Sequence, residues 1–426
     1  MRLSPGVVAW MSAASILAPL VGCAPKVKSP PIEELEANEI GYLGEVSATQ
    51  DRIEEEILLR SELEYERAVA AGHPDDRTFD VLILSGGGAK GAFGAGFLLG
   101  WGEVKDPQFA RPEFDLVTGV STGSLIAPMA FVGDEASYAL ADQIYRNPSQ
   151  GWIKERSLLD VLINEESVYN DAGLLKSIEQ TVGPRIPAIA AQVPEHRLLL
   201  IGVTNLNQGG SRTWNLTELA AQVQQGRMTP DEFCRYNLSS ASIPAVFPPQ
   251  LIGGNLYVDG STTRDILYIA AFDSSGSAVA RWRERHPDVK PPKVRVWVIA
   301  NTPLVVPPEA VDASDMGVIK RSLALAVQAA LTGQLKIVEL SSRILHESIG
   351  VDVEFRYVAM PDGWTATGKG IFNKADMDAM SDLGRAMGRD PRNWRTSVDD
   401  PLSPAALTAE LERQLAKQQE AGREPR

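Results

Sequence analysis

The sequence predicts a three-layer α/β/α domain built on a mostly parallel central sheet. Two observations carry that expectation. Short apolar runs, of the length and continuity of strands buried on both faces, alternate with helix-length segments of apolar periodicity. A composition of 44% hydrophobic and 23% charged residues over 426 positions is that of a globular chain long enough to bury a sizeable core.

The first 22 residues differ from the rest. Arg2 is their only charge, and Val7 to Val21 is apolar or small with Pro19 inside it. Such a run is shorter than the roughly 20 residues that cross a bilayer core and fits the apolar region of a secretory signal peptide. The ending Leu20-Val21-Gly22-Cys23 resembles the lipobox of bacterial lipoproteins. That resemblance implies cleavage after residue 22, lipid on Cys23 and an exported protein anchored to a membrane. Ala24 in place of Asp points to the outer one. Cys234 is then the sole remaining cysteine, flanked by Phe233 and Tyr236, and reads as a small buried hydrophobe.

Residues 23–76 read as a Pro-rich spacer, "APKVKSPP", followed by a charged surface helix from Glu33 to Ala71, stopped by Gly72 and Pro74. Residues 77–388 hold the alternating pattern. Val81–Leu84 is the first buried strand, and a glycine run turns it into an apolar helix reaching Trp101. Phe114–Gly119 is the second strand, with "STGSLIAPMAFVG" the helix after it. Arg197–Asn205 is the third, followed by a hairpin candidate at "QGGSRTWNL". Lys293–Asn301 and Glu354–Met360 are the fourth and fifth, with a long helix from Asp315 to Ile349 between them. Residues 389–426 are polar and read as a terminal helix or tail.

A net charge of −14 argues against nucleic acid as a partner. "RWRERH", Arg281 to His286, is the most basic stretch and reads as the end of a surface helix.

Gly119-Val120-Ser121-Thr122-Gly123 sits where the second strand becomes a helix. A Ser at so tight a turn is presented at the carboxyl edge of the sheet, with the positive end of a helix behind it. That context makes Ser121 a candidate nucleophile. Gly86, Gly87 and Gly88, at the end of the first strand, are candidate oxyanion donors because no Cβ obstructs their N–H groups. The same glycines fit a dinucleotide fingerprint, but the second strand ends in "TGVSTG" where that reading needs an acidic residue. A phosphate-binding P-loop is excluded because Gly91 and Ala92 follow Lys90. For the base, His73, His196, His286 and His346 all lie in settings better suited to surface or structural roles. Asp259, ending a short strand in "GGNLYVDGS", can accept a proton from serine directly if burial raises its proton affinity.

Three blocks, "SGGGAKG" (85–91), "GVSTG" (119–123) and "SSASIPAVFPPQLIGGNLYVDGS" (239–261), resemble the patatin-like phospholipases, and occur in that family's order. The resemblance is close over about 79–265 and looser to about 388. It implies hydrolysis of lipid or phospholipid acyl esters by a Ser121–Asp259 dyad without histidine, with Gly86–Gly88 as the oxyanion hole and no metal or cofactor. Gly260-Ser261 stands where the family has Gly-Gly or Gly-Ala, and Ser85 where plant members carry Asp. Two other readings stay open on the residues: a Ser–Asp–His esterase using His286 or His346, and a non-catalytic lipoprotein scaffold.

Overall fold

The computed structural model describes residues 29–148, 154–155, 169–244, 246–269, 276–306, 310–311, 315–368 and 372–398. The expected signal peptide, Cys23 and the tail from 399 onward lie outside them. Eight strands form one mixed sheet. β1 (Thr78–Leu84) lies in its middle, because its Val-Leu-Ile-Leu run can be buried on both faces. It pairs in parallel with β2 (Leu116–Val120) on one side and β7 (Lys293–Ala300) on the other, and β8 (Val353–Ala359) continues in parallel beyond β7.

β3 (Leu198–Asn205) lies parallel to β2, and its outer edge carries the antiparallel hairpin partner β4 (Gly210–Asn215). The inner edge of β3 is shared. β2 occupies it as far as the pair Val120↔Gly202, and the next residue, Val203, pairs with Asp259 of the antiparallel β6 (Asn255–Asp259). β2 and β6 therefore approach from opposite directions and meet end to end along one strand. β5 (Gln250–Ile252) closes a hairpin with β6.

Helices cover both faces. On one, α2 (Gly91–Trp101), α3 (Thr122–Val132), α4 (Glu135–Arg146) and α5 (Lys374–Gly388) surround a core containing Phe93, Phe97, Trp101 and Trp297. On the other, Leu331, Leu335 and Val338 of a long helix spanning Asp315–Ile344 belong to the same core cluster as Phe79, Val81 and Val296. Among the described residues no helix is long and apolar enough to cross a membrane.

Two expectations change. The charged helix, α1 (Ile32–Ala71), is more than a surface element: Ile53 and Leu58 are buried, and its Arg60 donates to Asp115 at 2.7 Å beside the start of β2. Packing also runs past the expected boundary at 388. Trp394 stacks edge-on against Phe97, Trp101 and Trp297, Arg395 bridges to Tyr357, and Val398 is buried. A lone Trp and Val in a polar stretch have no periodicity that would announce this.

Candidate active site

All the parallel strands end at one edge of the sheet, and the chain turns there into the candidate residues. Ser121 follows β2 with φ 53° and ψ −123°, a backbone conformation costly for a residue with a side chain. The turn is closed on both sides. A Cβ on Gly119 would lie 2.5 Å from the Gly123 carbonyl oxygen, and one on Gly123 would lie 2.3 Å from that of Leu84. Only glycine fits at either position. Ser121 itself is the N-cap of α3, so the unpaired N–H groups of that helix's first turn lie behind it.

Asp259 reaches Ser121 because β2 and β6 end against each other on β3. The segment after the helix Pro230–Ser239 ties the two together. Ser121 N–H donates to Ser240 Oγ at 3.0 Å, and Ser240 Oγ donates to the Gly202 carbonyl at 2.7 Å. Asp259 N–H donates to the Ser242 carbonyl at 3.0 Å. The Asp259 carboxyl is fully buried and pushed up to about 6 by that burial, a shift opposed by hydrogen bonding from Ser121 and Ser261. Its Oδ1 accepts the Ser261 N–H at 2.8 Å, whereas Oδ2 has no partner of regular hydrogen-bond geometry.

A second carboxyl belongs to this site. Asp265 is buried and pushed up to about 7, by burial first and by the charge of Asp259 after the opposing bond from Ser261. A Cβ on Gly86 would fall 2.3 Å from both Asp265 Oδ1 and Ser261 Oγ, and 3.3 Å from the Ser121 Cβ. These groups crowd around one point. Asp259 Oδ2, Ser261 Oγ, both Asp265 carboxyl oxygens and Asn301 Oδ1 all lack regular partners although buried. Burying such atoms unpaired is expensive, so a cluster of them marks a place kept for something other than stability.

The glycine loop is held by Ser85. Its Oγ donates to the Gly86 carbonyl at 2.8 Å and accepts the Asn301 N–H at 2.9 Å, while Asn301 Nδ2 donates to the Ser85 carbonyl at 2.6 Å. Gly87 and Gly88 take φ 149° and 58°, which glycine alone adopts without strain. The three expected donors are not equivalent. Gly86 N–H is engaged by the Asp265 carbonyl at 3.3 Å, whereas those of Gly87 and Gly88 are unengaged among the described residues. Gly88 and Ser121 line a cavity of about 20 Å³ walled by Leu125, Leu174, Ile243, Phe247 and Phe372.

The four histidines are at the opposite edge. His73 and His196 precede β1 and β3, and His196 pairs with Glu56 at 2.8 Å. His286 lies against Trp282 and Tyr65 with Glu62 at 3.2 Å, beside Arg77 at the start of β1. His346 faces Asp352 at 3.7 Å, just before β8. None hydrogen-bonds Ser121 or Asp259 among the described residues. Cys234 is buried and its thiol is pushed up to about 12 by burial, as a small core side chain would be.

Sequence reasoning missed Asp265, Ser240 and the Ser85–Asn301 clamp. Each is a common polar residue whose partner lies far away in the chain, and no local spacing marks it.

Residues 82–271 match the family model described as Patatin-like phospholipase. No curated protein matches the chain. Among solved structures it is similar to VipD from Legionella pneumophila, at 11% identity over 76% of this chain and 68% of that one, with a TM-score of 0.31.

Proposed function

We propose, from the match of residues 82–271 to the patatin-like phospholipase model, that the chain hydrolyses acyl esters of lipids with Ser121 as nucleophile and Asp259 as its base. The observation that carries this reading is that β2 and β6 end against each other on β3, which sets Ser121 beside Asp259, a buried carboxyl that burial pushes up to about 6. An ordinary carboxylate is too weak a base for serine. Burial narrows that gap while leaving the group ionised at neutral pH.

In the first half-reaction Ser121 Oγ bonds to the ester carbonyl carbon as its proton passes to Asp259. The carbonyl oxygen becomes an oxyanion held by the N–H groups of Gly87 and Gly88, with the first turn of α3 adding positive potential. The ester C–O bond then breaks, and Asp259 returns the proton to the departing alcohol. In the second half, water adds to the acyl-serine while giving its proton to Asp259. The fatty acid leaves and Ser121 recovers its proton. The apolar side chains beside Ser121, Leu125, Leu174, Ile243 and Phe247, meet the start of the acyl chain. Lipid on Cys23 keeps the exported protein on a membrane, the outer one by the residue at 24, and so beside its substrate.

Labelling with a fluorophosphonate tests the dyad. Wild type labels strongly, Ser121→Ala not at all, and Asp259→Asn at a rate lower by at least about 100-fold. His286→Ala and His346→Ala label as wild type. Loss of labelling in either histidine variant would establish a triad instead.

A further inference from the structure

We infer that the carboxyl edge of the sheet, which holds Ser121, is also the face that docks on the lipid surface, through an apolar rim built from α1, β3, β5 and the long helix Asp315–Ile344. The inference rests on the proposed lipid esterase and adds the surface by which it meets its substrate.

Where the chain enters the fold is the first support. Ser29, the first described residue, accepts a hydrogen bond from Asn207 Nδ2 at 2.5 Å. Asn207 follows directly on the carboxyl end of β3. Cys23 is six residues earlier, a reach of at most about 20 Å even when fully extended. A lipid on Cys23 therefore holds this edge, and not the opposite one, close to the membrane.

The second support is what the edge exposes. The helix Asp315–Ile344 is fixed to the loop after β7, where Thr332 Oγ1 meets the Leu304 carbonyl at 3.4 Å and Gln328 bonds the same oxygen. It runs antiparallel to the strands and reaches the start of β8 at its other end, where His346 meets Val353. The ten residues from Gln328 back to Val318 thus continue the helix about 15 Å past its bonds to the Leu304 carbonyl. Val318 and Leu325 on that stretch are 49% and 43% exposed. Ile32 at the start of α1, Leu206 after β3, Leu251 in β5 and Val305 after β7 are also large, apolar and exposed, and all lie at this edge. Bulky apolar groups gathered around one mouth favour a partner that is itself apolar. With a chain charge of −14, attraction to anionic headgroups does not drive the contact. The surface that fits is a zwitterionic bilayer, entered shallowly by an interfacial helix.

The test uses the lipid-modified full chain with Ser121→Ala, so that the bilayer is not consumed. An environment-sensitive fluorophore is placed singly at Leu206→Cys, Leu325→Cys, Leu340→Cys or Val193→Cys, Cys234 being buried. Phosphatidylcholine vesicles are then added. The labels at 206 and 325 should brighten by at least about twofold, while those at 340 and 193 should stay as in water. A silent pair at 206 and 325, or an equal response at 340 and 193, overturns the inference. In the chain with Ser121 intact, Val318→Glu with Leu325→Glu should lower hydrolysis of vesicle lipid by at least about tenfold, and that of a soluble short-chain ester by less than about twofold. Equal rates on vesicles would again overturn it. A wild type that docks by this edge yet cleaves neither ester overturns the esterase reading and supports the docking.

Discussion

Asp259 and Asp265 both hold their protons more tightly in the folded chain than an ordinary aspartate, near 6 and near 7 against 3.8. Asp259, as the proposed base, must be ionised to accept the serine proton, so turnover of a soluble ester should rise as pH climbs through about 6, with a pH–rate profile as the measurement. Stability moves the other way. A carboxyl whose pKa is raised by folding binds more protons in the native state, so what these two contribute to stability is greatest below about 4 and is lost as pH rises through 6 to 7. Asp265→Asn removes the larger of these penalties. The variant should be more stable than wild type by about 1–3 kcal/mol at pH 8, with the gain vanishing near pH 4, as read by urea unfolding at both. Ser121 was legible because a strand end, two glycines and a helix start coincide in nine residues. Asp265 was not, since its place beside Gly86 arises only when two remote loops pack together.

α1 shows the same limit at the scale of an element. Its extent, Ile32–Ala71 closed by Gly72 in the left-handed conformation, follows from helical spacing and a glycine stop. Its role does not. Charge dominates the segment, and the residues that bind it to the sheet are a few among many polar neighbours. Arg60 is the clearest, 8% exposed and paired with Asp115, which also accepts the Asp80 N–H at 2.6 Å. Arg60→Ala would leave a buried carboxylate without its cation and should cost about 3 kcal/mol in chemical denaturation. Arg67→Ala, whose partners Glu64 and Glu195 are at the surface, should cost less than about 1 kcal/mol. Equal losses from both would mean that α1 is held by its apolar face alone.

Across the whole molecule, the order of buried strands and helices was legible because β1, β3 and β7 each carry a continuous run of at least four apolar residues. The mixed part of the sheet was not. β5 and β6 are short, and nothing local says that β6 fills the edge of β3 that β2 leaves free. That joint has a physical consequence for how the chain can be divided. The proposed nucleophile belongs to the first part of the chain and the proposed base to the second, and β3 aligns one against the other. A break between Asn147 and Lys154 should leave two pieces that are each inert towards a fluorophosphonate. Mixed and refolded, they should recover labelling on the piece that carries Ser121. Labelling would then work as a coincidence detector, reporting that both halves had found the same template, and the proposed site would serve as a reporter of its own assembly.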